Sequence, residues 1–552
     1  MHLVRGLAIW WEGDTRHSYA HPPFANLWAA APAALLFERS DLTKLSGWRS
    51  GDTAKLAKAY MKADYEKGRA QLLTARLSIA VLTLLFAAYI YNYSRRRFGA
   101  VYGLGALTLL AFHPAILAHG SLVTTDMAIT VWLLMTCTEL ISAIEKPTRW
   151  GITRAALLFS FALLTKHSAA LLVPLLVAAL FGAAYAKLGG YSGLGAKSRM
   201  LMAIRQTLLA AGICVFMVNL GFGFERSFMR VDEMLAEKEP QNWITRAYKG
   251  TMLEKGVLGA LPESIRVPVP YTYVVGLDSI RAHNARGHKS WFWGEVRKTG
   301  WSSYFPVLVL IKTPVSVFLF LLFGAWLVWR RGSIAPPALF FTLVAFLLLA
   351  SIVPARLNIG SRHALPVMAI LSVLAGWGAG ACLRFGATRF FASDSEPETR
   401  KWAGIFCGGI GAVLLLPGIS IAQAHPTYLS EFNQLVGPEM GHQISMIGED
   451  WGQDDAAFAE YALERKLRPL YFQRYAFTGV RELKRKKVPF RRLRCKKRPS
   501  KSAWVAIHAS NYLRTKERCF SWLGKREPDE IFRNHIYLFR YEPPKAPGRK
   551  KK

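Results

Sequence analysis

Apolar residues along this chain of 552 residues are gathered into long blocks, and short basic turns separate the blocks. Each block is hydrophobic all round rather than along one stripe, which is typical of a helix embedded in a membrane. Runs of about 18–24 apolar residues are long enough to cross roughly 30 Å of hydrocarbon. The fourth run is short and is a candidate for a broken pair with its neighbour. The predicted spans are 74–93, 99–118, 126–144, 151–164, 167–186, 203–222, 305–329, 335–354, 363–383 and 403–423.

Three more polar regions lie outside these blocks. Residues 1–70 include a short apolar segment, 22–37, that is typical of a helix lying in the membrane interface. Residues 223–304 form a long loop rich in Trp and Tyr. The tail changes character, with a helix leading into a strand at 461–472 and further strands at 502–510 and 535–543. We expect a mainly α, polytopic membrane helix bundle with a small C-terminal soluble α/β domain, divided into 1–70, 71–423 and 424–552.

The chain has a formal net charge of +35, and the positions of its basic residues indicate how it is oriented in the membrane. Loops rich in Lys and Arg favour the cytoplasmic side of a membrane. If the predicted spans alternate, five basic turns fall on one side: 94–99, 145–154, 197–205, 329–333 and 384–402. Residues 1–70, the turn before 126, the turn at 166, the loop 223–304, the loop 354–362 and the tail then fall on the other side. The pattern predicts a multi-pass protein of the plasma (inner) membrane with these segments exported.

The exported tail is itself very basic, above all at 484–501. A solvated cationic face is the simplest interpretation, and docking on anionic lipid or on an acidic glycan is the alternative. Nucleic acid is a poor candidate partner, because a nucleic-acid strand is not expected outside the cytoplasm.

Of six cysteines, four lie in predicted spans. Cys495 and Cys519 both lie in the exported tail, where they are able to form a disulfide.

Asp126 stands at the start of a predicted span, in the stretch HGSLVTTDMAITVWLLM (119–135). One interpretation is helix capping, because a side-chain oxygen at this position accepts hydrogen bonds from the exposed amides of the first turn. The other is functional: a carboxylate at the outer mouth of a helix bundle can bind or deprotonate a hydroxyl group. The residue type alone leaves both open.

Basic residues within or beside the apolar runs point toward a ligand. Lys166 interrupts a pair of apolar helices, and Lys312 is predicted about 12 Å inside its span at 1.5 Å per residue. A lysine at such depth is usually functional and has a partner or an anion in the bundle interior. The predicted topology adds Arg356, Arg362 and His363 on the same outer face. A lipid that carries a phosphate suits such a cationic pocket.

Six stretches carry a resemblance to a known family: HGSLVTTDMA, LLTKHSAALL, YFPVLVLIKTP, NIGSRHALPV, HPTYLSEFNQLVG and DWGQD. Together they resemble bacterial glycosyltransferases of the protein O-mannosyltransferase-like family 39, which have the GT-C membrane fold. The resemblance runs in order from residue 1 to about 540. Each motif alone is weak, but the ordered set is specific for the family and says less about the sugar or the acceptor.

The resemblance implies a polyprenyl-phosphate sugar donor, with a mannose-like hexose, that is attacked by an acceptor hydroxyl on the non-cytoplasmic side. The acceptor would be a protein, a lipid or a glycan. Asp126 matches the acid of the family's second exported loop and is assigned to the active site. Arg362, Lys166 and Lys312, with His363, are the candidates for neutralising the donor phosphate. No cofactor is required, no metal site is expected, and a divalent cation is not indicated.

The family's first exported loop has an Asp-Glu pair, a His, a glycine in a helix and a His-Pro-Pro. In this chain His2, Gly6 and His21 match the later members, and the acidic pair would fall before Met1. We therefore expect the natural protein to begin upstream, with one more span and the family's base. Otherwise the base is lost.

Glu12 and Asp14 are the acids left in the first loop, and turn residues are their simpler interpretation. His2, His21, His119 and Trp293 are further candidates for contacts with the acceptor. The acidic segment GEDWGQDD (448–455) has no role that the residues reveal: it could bind a cation or a sugar, or form a structural turn.

Two other classes of protein remain open. A transporter or flippase for a lipid-linked sugar would also place lysines in the membrane, but it would be expected to show an internal repeat, and none is seen. A non-catalytic membrane scaffold is the third interpretation, and it applies if Met1 is the true start.

Overall fold

The computed structural model describes residues 1–237, 256, 258–392, 396–473, 477–524 and 526–543. Within these ranges the chain is mainly helical. The helices before the long loop are His2–Glu12, Pro23–Leu36, Thr53–Ala63, Tyr65–Phe98, Ala100–Ala111, Pro114–His119, Thr125–Glu145, Arg149–Leu163, Val173–Tyr185 and Ala196–Gly221. Those that follow are Val231–Ala236, Tyr271–Arg286, Tyr304–Lys312, Val315–Arg331, Pro336–Ile352, Leu365–Phe390, Pro397–Ala424, Gly437–Ile444, Asp455–Glu464, Phe477–Arg485 and Ala509–Cys519.

Six helices of the described chain are long and apolar enough to cross a membrane: Tyr65–Phe98, Thr125–Glu145, His167–Tyr185, Ala196–Gly221, Ser361–Phe390 and Pro397–Ala424. The first and the last of these expose many apolar side chains, whereas Thr125–Glu145 and Ser361–Phe390 are mostly buried. The two buried helices therefore form the centre of the bundle. Gly376 allows the closest packing there, because a Cβ atom on it would lie 2.3 Å from the backbone of Ala106.

Helices occupy the remaining predicted spans, but they are shorter or broken. The run at 99–118 divides after Ala111, because Pro114 begins a new helix that His113 caps through its Nδ1, 3.2 Å from the Ala115 amide. Proline is well tolerated in the first turn of a helix but not inside one. The runs at 151–164 and 335–354 become helices of 15 and 17 residues.

The run at 305–329 is bent by 100° between Lys312 and Val315. Pro314 has no amide hydrogen to donate and forces the preceding residue out of the helical region, and Thr313 is indeed extended at φ −91° and ψ 132°. The prediction that Lys312 lies inside a continuous span is therefore wrong. It lies at the end of a nine-residue helix, at the bend.

Two sheets are present in the described residues. Strands β1 (Ser290–Phe292) and β2 (Glu295–Arg297) form an antiparallel hairpin in the long loop. The strands of the C-terminal sheet are β3 (Leu470–Gln473), β4 (Phe490–Arg492), β5 (Ala503–His508), β6 (Glu530–Phe532) and β7 (Ile536–Tyr541). Their order in the sheet is β4-β3-β5-β7-β6, in which β3 is parallel to β4 and β5, and the other neighbours are antiparallel.

The predicted fold class is confirmed: a mainly α membrane bundle is followed by a small α/β domain. The predicted strands at 502–510 and 535–543 are β5 and β7, and Cys495 and Cys519 are joined in a disulfide. One cluster of buried apolar residues contains members of the bundle, such as Phe305, and members of this C-terminal domain, such as Tyr537. The domain is thus packed on the bundle.

Candidate functional site

Asp126 lies in the first turn of the helix Thr125–Glu145, but it does not cap that helix. The cap is Thr124, whose side chain accepts from the Asp126 amide at 3.4 Å. A helix N-terminus favours a negative charge. The capping interpretation of Asp126 is therefore wrong, and its carboxylate is available for another role.

Lys166 supplies the partner of that carboxylate. Its Nζ donates to Asp126 Oδ1 at 2.8 Å, and the two side chains are only 11% and 5% exposed. Lys166 reaches this position from the turn between Arg149–Leu163 and His167–Leu172, where its amide donates to Ala162 O. The two predicted site residues form one buried ion pair. No hydrogen bond from the described residues reaches Asp126 Oδ2.

Arg362 and His363 lie in a short 3-10 turn, Ser361–Ala364, at the entrance to a central helix. The guanidinium of Arg362 lies 5.2 Å from the ring centre of Trp451. The buried Nε of Arg362 and Nε2 of His363 find no hydrogen-bond partner among the described residues. Gly360 adopts φ 108° and approaches Gly448 so closely that a Cβ atom would lie 2.9 Å from its Cα.

His119 contacts the same tryptophan from another element. Its imidazole meets the Trp451 ring edge-on at 6.2 Å, and neither ring nitrogen has a described partner. Burial lowers the pKa of His119, whereas the negative charge of Asp126 raises it. The two side chains are therefore within electrostatic reach of each other. Trp451 is therefore flanked by His119 and Arg362.

His2 and His21 contact each other beside this cluster, with ring centres 5.0 Å apart. His2 Nδ1 lies 2.9 Å from Asn26 Oδ1, whereas the buried His21 Nδ1 has no described partner. Burial and then the charge of Arg5 lower the pKa of His2 to about 3 and that of His21 well below its usual value. Both imidazoles are therefore neutral at pH 7 and are able to accept a hydrogen bond.

Lys312 has a different partner from the one predicted. Its Nζ lies 3.3 Å from Glu449 Oε2, with the two side chains 2% and 1% exposed. It also donates to Leu429 O at 3.0 Å and to Glu431 O at 2.7 Å. Because these acceptors surround the ammonium, we now interpret Lys312 as an anchor for the chain that follows the bundle rather than as a phosphate ligand.

The acidic segment 448–455, which had no assigned role, joins the bundle to the C-terminal domain. Glu449 Oε1 accepts from the Ser361 amide at 2.8 Å, next to Arg362. On the other side, Asp450 and Asp455 both bind His508, at 3.0 and 3.1 Å. Burial lowers the pKa of His508, but the two carboxylates outweigh it and raise the pKa to about 10.

The remaining candidates lie elsewhere. Trp293 is 64% exposed at the tip of the β1–β2 hairpin, and its described contacts are with Ile444 and Phe292. Arg356 is held by the long loop, through Asn284 Oδ1 and Ala285 O. The carboxylates of the first loop are paired as turn residues would be, Glu12 with Arg39 and Asp14 with Arg16.

Comparisons with known proteins agree with the motifs. Residues 68–216 match the family model of Dolichyl-phosphate-mannose-protein mannosyltransferase. No curated protein matches the chain. The chain is similar to ArnT from Cupriavidus metallidurans bound to undecaprenyl phosphate, at 13% identity and a TM-score of 0.40, over 97% of this chain and 92% of that chain. It is also similar to the Archaeoglobus fulgidus oligosaccharyltransferase tethered with an acceptor peptide, at 11% identity and a TM-score of 0.38, over 85% of this chain and 55% of that chain.

These likenesses to solved structures are distant, and the family match is the stronger finding. The matched segment includes HGSLVTTDMA and LLTKHSAALL, and therefore both members of the Asp126–Lys166 pair. The resemblance to a family of membrane glycosyltransferases is confirmed over this segment.

Proposed function

We propose that this protein is an integral-membrane glycosyltransferase that moves a sugar, a mannose-like hexose, from a polyprenyl-phosphate donor to an acceptor hydroxyl on the non-cytoplasmic side. The observation that carries the proposal is a buried Asp126–Lys166 pair within electrostatic reach of Arg362, His363 and His119. Arg362 Nε, His363 Nε2 and both ring nitrogens of His119 are buried without a hydrogen-bond partner among the described residues. A buried donor without an acceptor is costly. A phosphate or a sugar hydroxyl would satisfy such groups.

Arg362 is the best candidate for the donor phosphate. A guanidinium presents several N–H donors in a planar fork that matches phosphate oxygens. The ring of Trp451 covers one side of that group, and its Nε finds no acceptor among the described residues. The cation is thus held in place without a direct ion pair to a carboxylate of the described chain.

The ion pair fits the charge changes of the reaction. The acceptor oxygen forms a bond to the anomeric carbon as the bond from that carbon to the phosphate oxygen breaks. The hydroxyl proton passes to the base that the family resemblance implies, and the leaving phosphate gains one negative charge. Asp126, held by Lys166, positions the acceptor or the donor, and the charges of Lys166 and Arg362 stabilise the departing phosphate.

Neutral histidines complete the site. His2 and His21 stay unprotonated because burial lowers their pKa values, so their free nitrogens can accept from sugar or acceptor hydroxyl groups. Trp451 offers an aromatic edge between His119 and Arg362. These groups would orient the sugar, and the identity of the sugar and of the acceptor is to be settled by assay.

The experiment uses the full-length protein in vesicles with a radiolabelled polyprenyl-phosphate mannose. A transferase moves label from the lipid to a protein, lipid or glycan acceptor. A flippase moves the labelled lipid across the bilayer without transfer, and a scaffold does neither. Absence of transfer with every polyprenyl-phosphate hexose tested would overturn the proposal.

A further inference from the structure

The segment 484–501 is the most concentrated run of positive charge in the C-terminal domain. It contains eleven Lys and Arg residues and no acid. Two of the eleven are paired, Arg485 with Glu482 and Lys486 with Glu460. The other nine are exposed and form no ion pair among the described residues: Lys484, Lys487, Arg491, Arg492, Arg494, Lys496, Lys497, Arg498 and Lys501.

These charges stand on a folded surface. Phe490–Arg492 is strand β4, at the edge of the five-stranded sheet and paired with β3. The disulfide between Cys495 and Cys519 ties the next residues to the helix Ala509–Cys519, and the Lys496 amide donates to Cys519 O at 3.0 Å. The cations are therefore concentrated at fixed positions, where they repel one another unless a counter-charge is supplied.

The position of this surface relative to the bilayer follows from one contact. Glu482, just before the segment, accepts from Tyr65 Oη at 2.7 Å and lies 4.0 Å from Arg69 Nε, at the beginning of the helix Tyr65–Phe98. Exposed apolar side chains begin on that helix at Leu73 and Leu77. Four residues of helix from Arg69 to Leu73 span about 6 Å.

A distance of about 6 Å from the apolar surface matches the headgroup layer, which is roughly 5–7 Å deep on each side of the hydrocarbon. We propose that the basic surface 484–501 binds the phosphate headgroups of anionic phospholipids, and so fixes the C-terminal domain on the bilayer. Charge complementarity and this position favour a lipid over an acidic glycan. The proposal does not depend on the glycosyl-transfer reaction.

The test uses full-length protein in phosphatidylcholine vesicles that contain a trace of photoreactive phosphatidylglycerol or photoreactive phosphatidylcholine. Crosslinked peptides are mapped by mass spectrometry. We expect phosphatidylglycerol to crosslink to 484–501 well above phosphatidylcholine, and the excess to disappear in about 1 M salt, where the Debye length is about 3 Å. Equal yields from the two lipids, or an excess that high salt leaves unchanged, would overturn the proposal.

A variant with Arg491→Glu, Arg492→Glu and Lys496→Glu should bind the anionic lipid at this segment about 100-fold more weakly. The control variant carries Arg149→Glu, Lys197→Glu and Arg331→Glu in the basic turns on the other side, and its crosslinks at 484–501 should persist. If the first variant fails to form the Cys495–Cys519 disulfide, the same three positions are changed to Gln. Crosslinking that survives these changes, or that an acidic glycan enhances, contradicts a lipid-binding surface.

Discussion

The contact between Lys312 and Glu449 gives a stability prediction that can be worked out from the structure. Both side chains are almost completely buried, and the two charges lie 3.3 Å apart. Glu449→Gln keeps an oxygen that can accept from the Ser361 amide but removes the charge opposite Lys312. The substitution therefore isolates the contribution of the charge.

Removing one member of a buried ion pair costs about 3–5 kcal/mol, because the other charge stays buried without compensation. Two carbonyl oxygens at 3.0 and 2.7 Å and the ring of Phe432 at 3.9 Å still surround Lys312. We therefore expect a loss of about 3 kcal/mol for Glu449→Gln and a similar loss for Lys312→Met. The double variant should lose about 1 kcal/mol, since neither charge is then left buried without its partner.

The assay is unfolding in mixed detergent micelles, followed by tryptophan fluorescence. The double-mutant cycle should give a coupling energy of about 5 kcal/mol, because the two single losses of about 3 kcal/mol together exceed the double loss of about 1 kcal/mol by that amount. Asp41→Asn in the exposed pair with Lys44 is the control, and it should change stability by less than about 1 kcal/mol. A double variant as unstable as either single variant, or a Glu449→Gln variant that matches this control, would refute the buried-pair reasoning.

Three further predictions concern the site and the C-terminal domain. Arg362→Ala should reduce use of the lipid-phosphate donor about 10- to 100-fold, with partial recovery in Arg362→Lys. The control is Arg330→Ala, which removes a similar contact between an arginine and a tryptophan. Unchanged donor kinetics in Arg362→Ala would place the phosphate elsewhere. The pKa of His508 is raised to about 10, above its value of about 6.5 in the unfolded chain. The stability that its ion pairs contribute is therefore fully present below about pH 6.5. It is lost as the pH rises toward about 10, at up to about 1.4 kcal/mol per pH unit. Unfolding measured across this range should show that slope, and His508→Gln should flatten it; an equal slope in both would contradict the assignment. Changing Cys495 and Cys519 to Ser should destabilise the C-terminal domain by about 3 kcal/mol, as expected for a bridge across 24 residues, and no change in its unfolding would count against a structural role.

Most of the architecture could be predicted, because apolar blocks and basic turns are local features of the sequence. The bend at Pro314 could also have been predicted, since the rule that proline ends a helix applies to KTP directly. The apolar block on both sides concealed it, and a continuous span was predicted where the chain turns by 100°. Strands β3, β5 and β7 of the C-terminal domain were predicted from their sequence patterns, whereas the three-residue strands β4 and β6 were not.

The partners within the site could not be predicted in the same way. Asp126 and Lys166 were both selected, yet nothing local indicates that residues separated by 40 positions form one ion pair. Glu449 and Trp451 belong to the segment 448–455, which was left without a role because no local feature shows what its side chains contact. Their neighbours, Lys312 and Arg362, come from distant parts of the chain, and only the packing of the C-terminal domain on the bundle brings them together.

The measurement that tests the account most directly is sugar transfer by Asp126→Asn at matched amounts of folded protein. The matched control is Glu139→Gln. Glu139 lies on the same helix as Asp126, about 20 Å further along it at 1.5 Å per residue, and it is paired with Arg154 of the next helix. Because Thr124 caps the helix, Asn at 126 leaves the cap in place. Loss of the charge opposite the buried Lys166 should still cost about 3–5 kcal/mol of stability, which is why the comparison is made at matched amounts of folded protein. We expect transfer to fall at least about 100-fold in Asp126→Asn, because the reacting groups lose their positioning, and to stay near normal in Glu139→Gln. Near-normal transfer by Asp126→Asn would contradict a catalytic role for the Asp126–Lys166 pair.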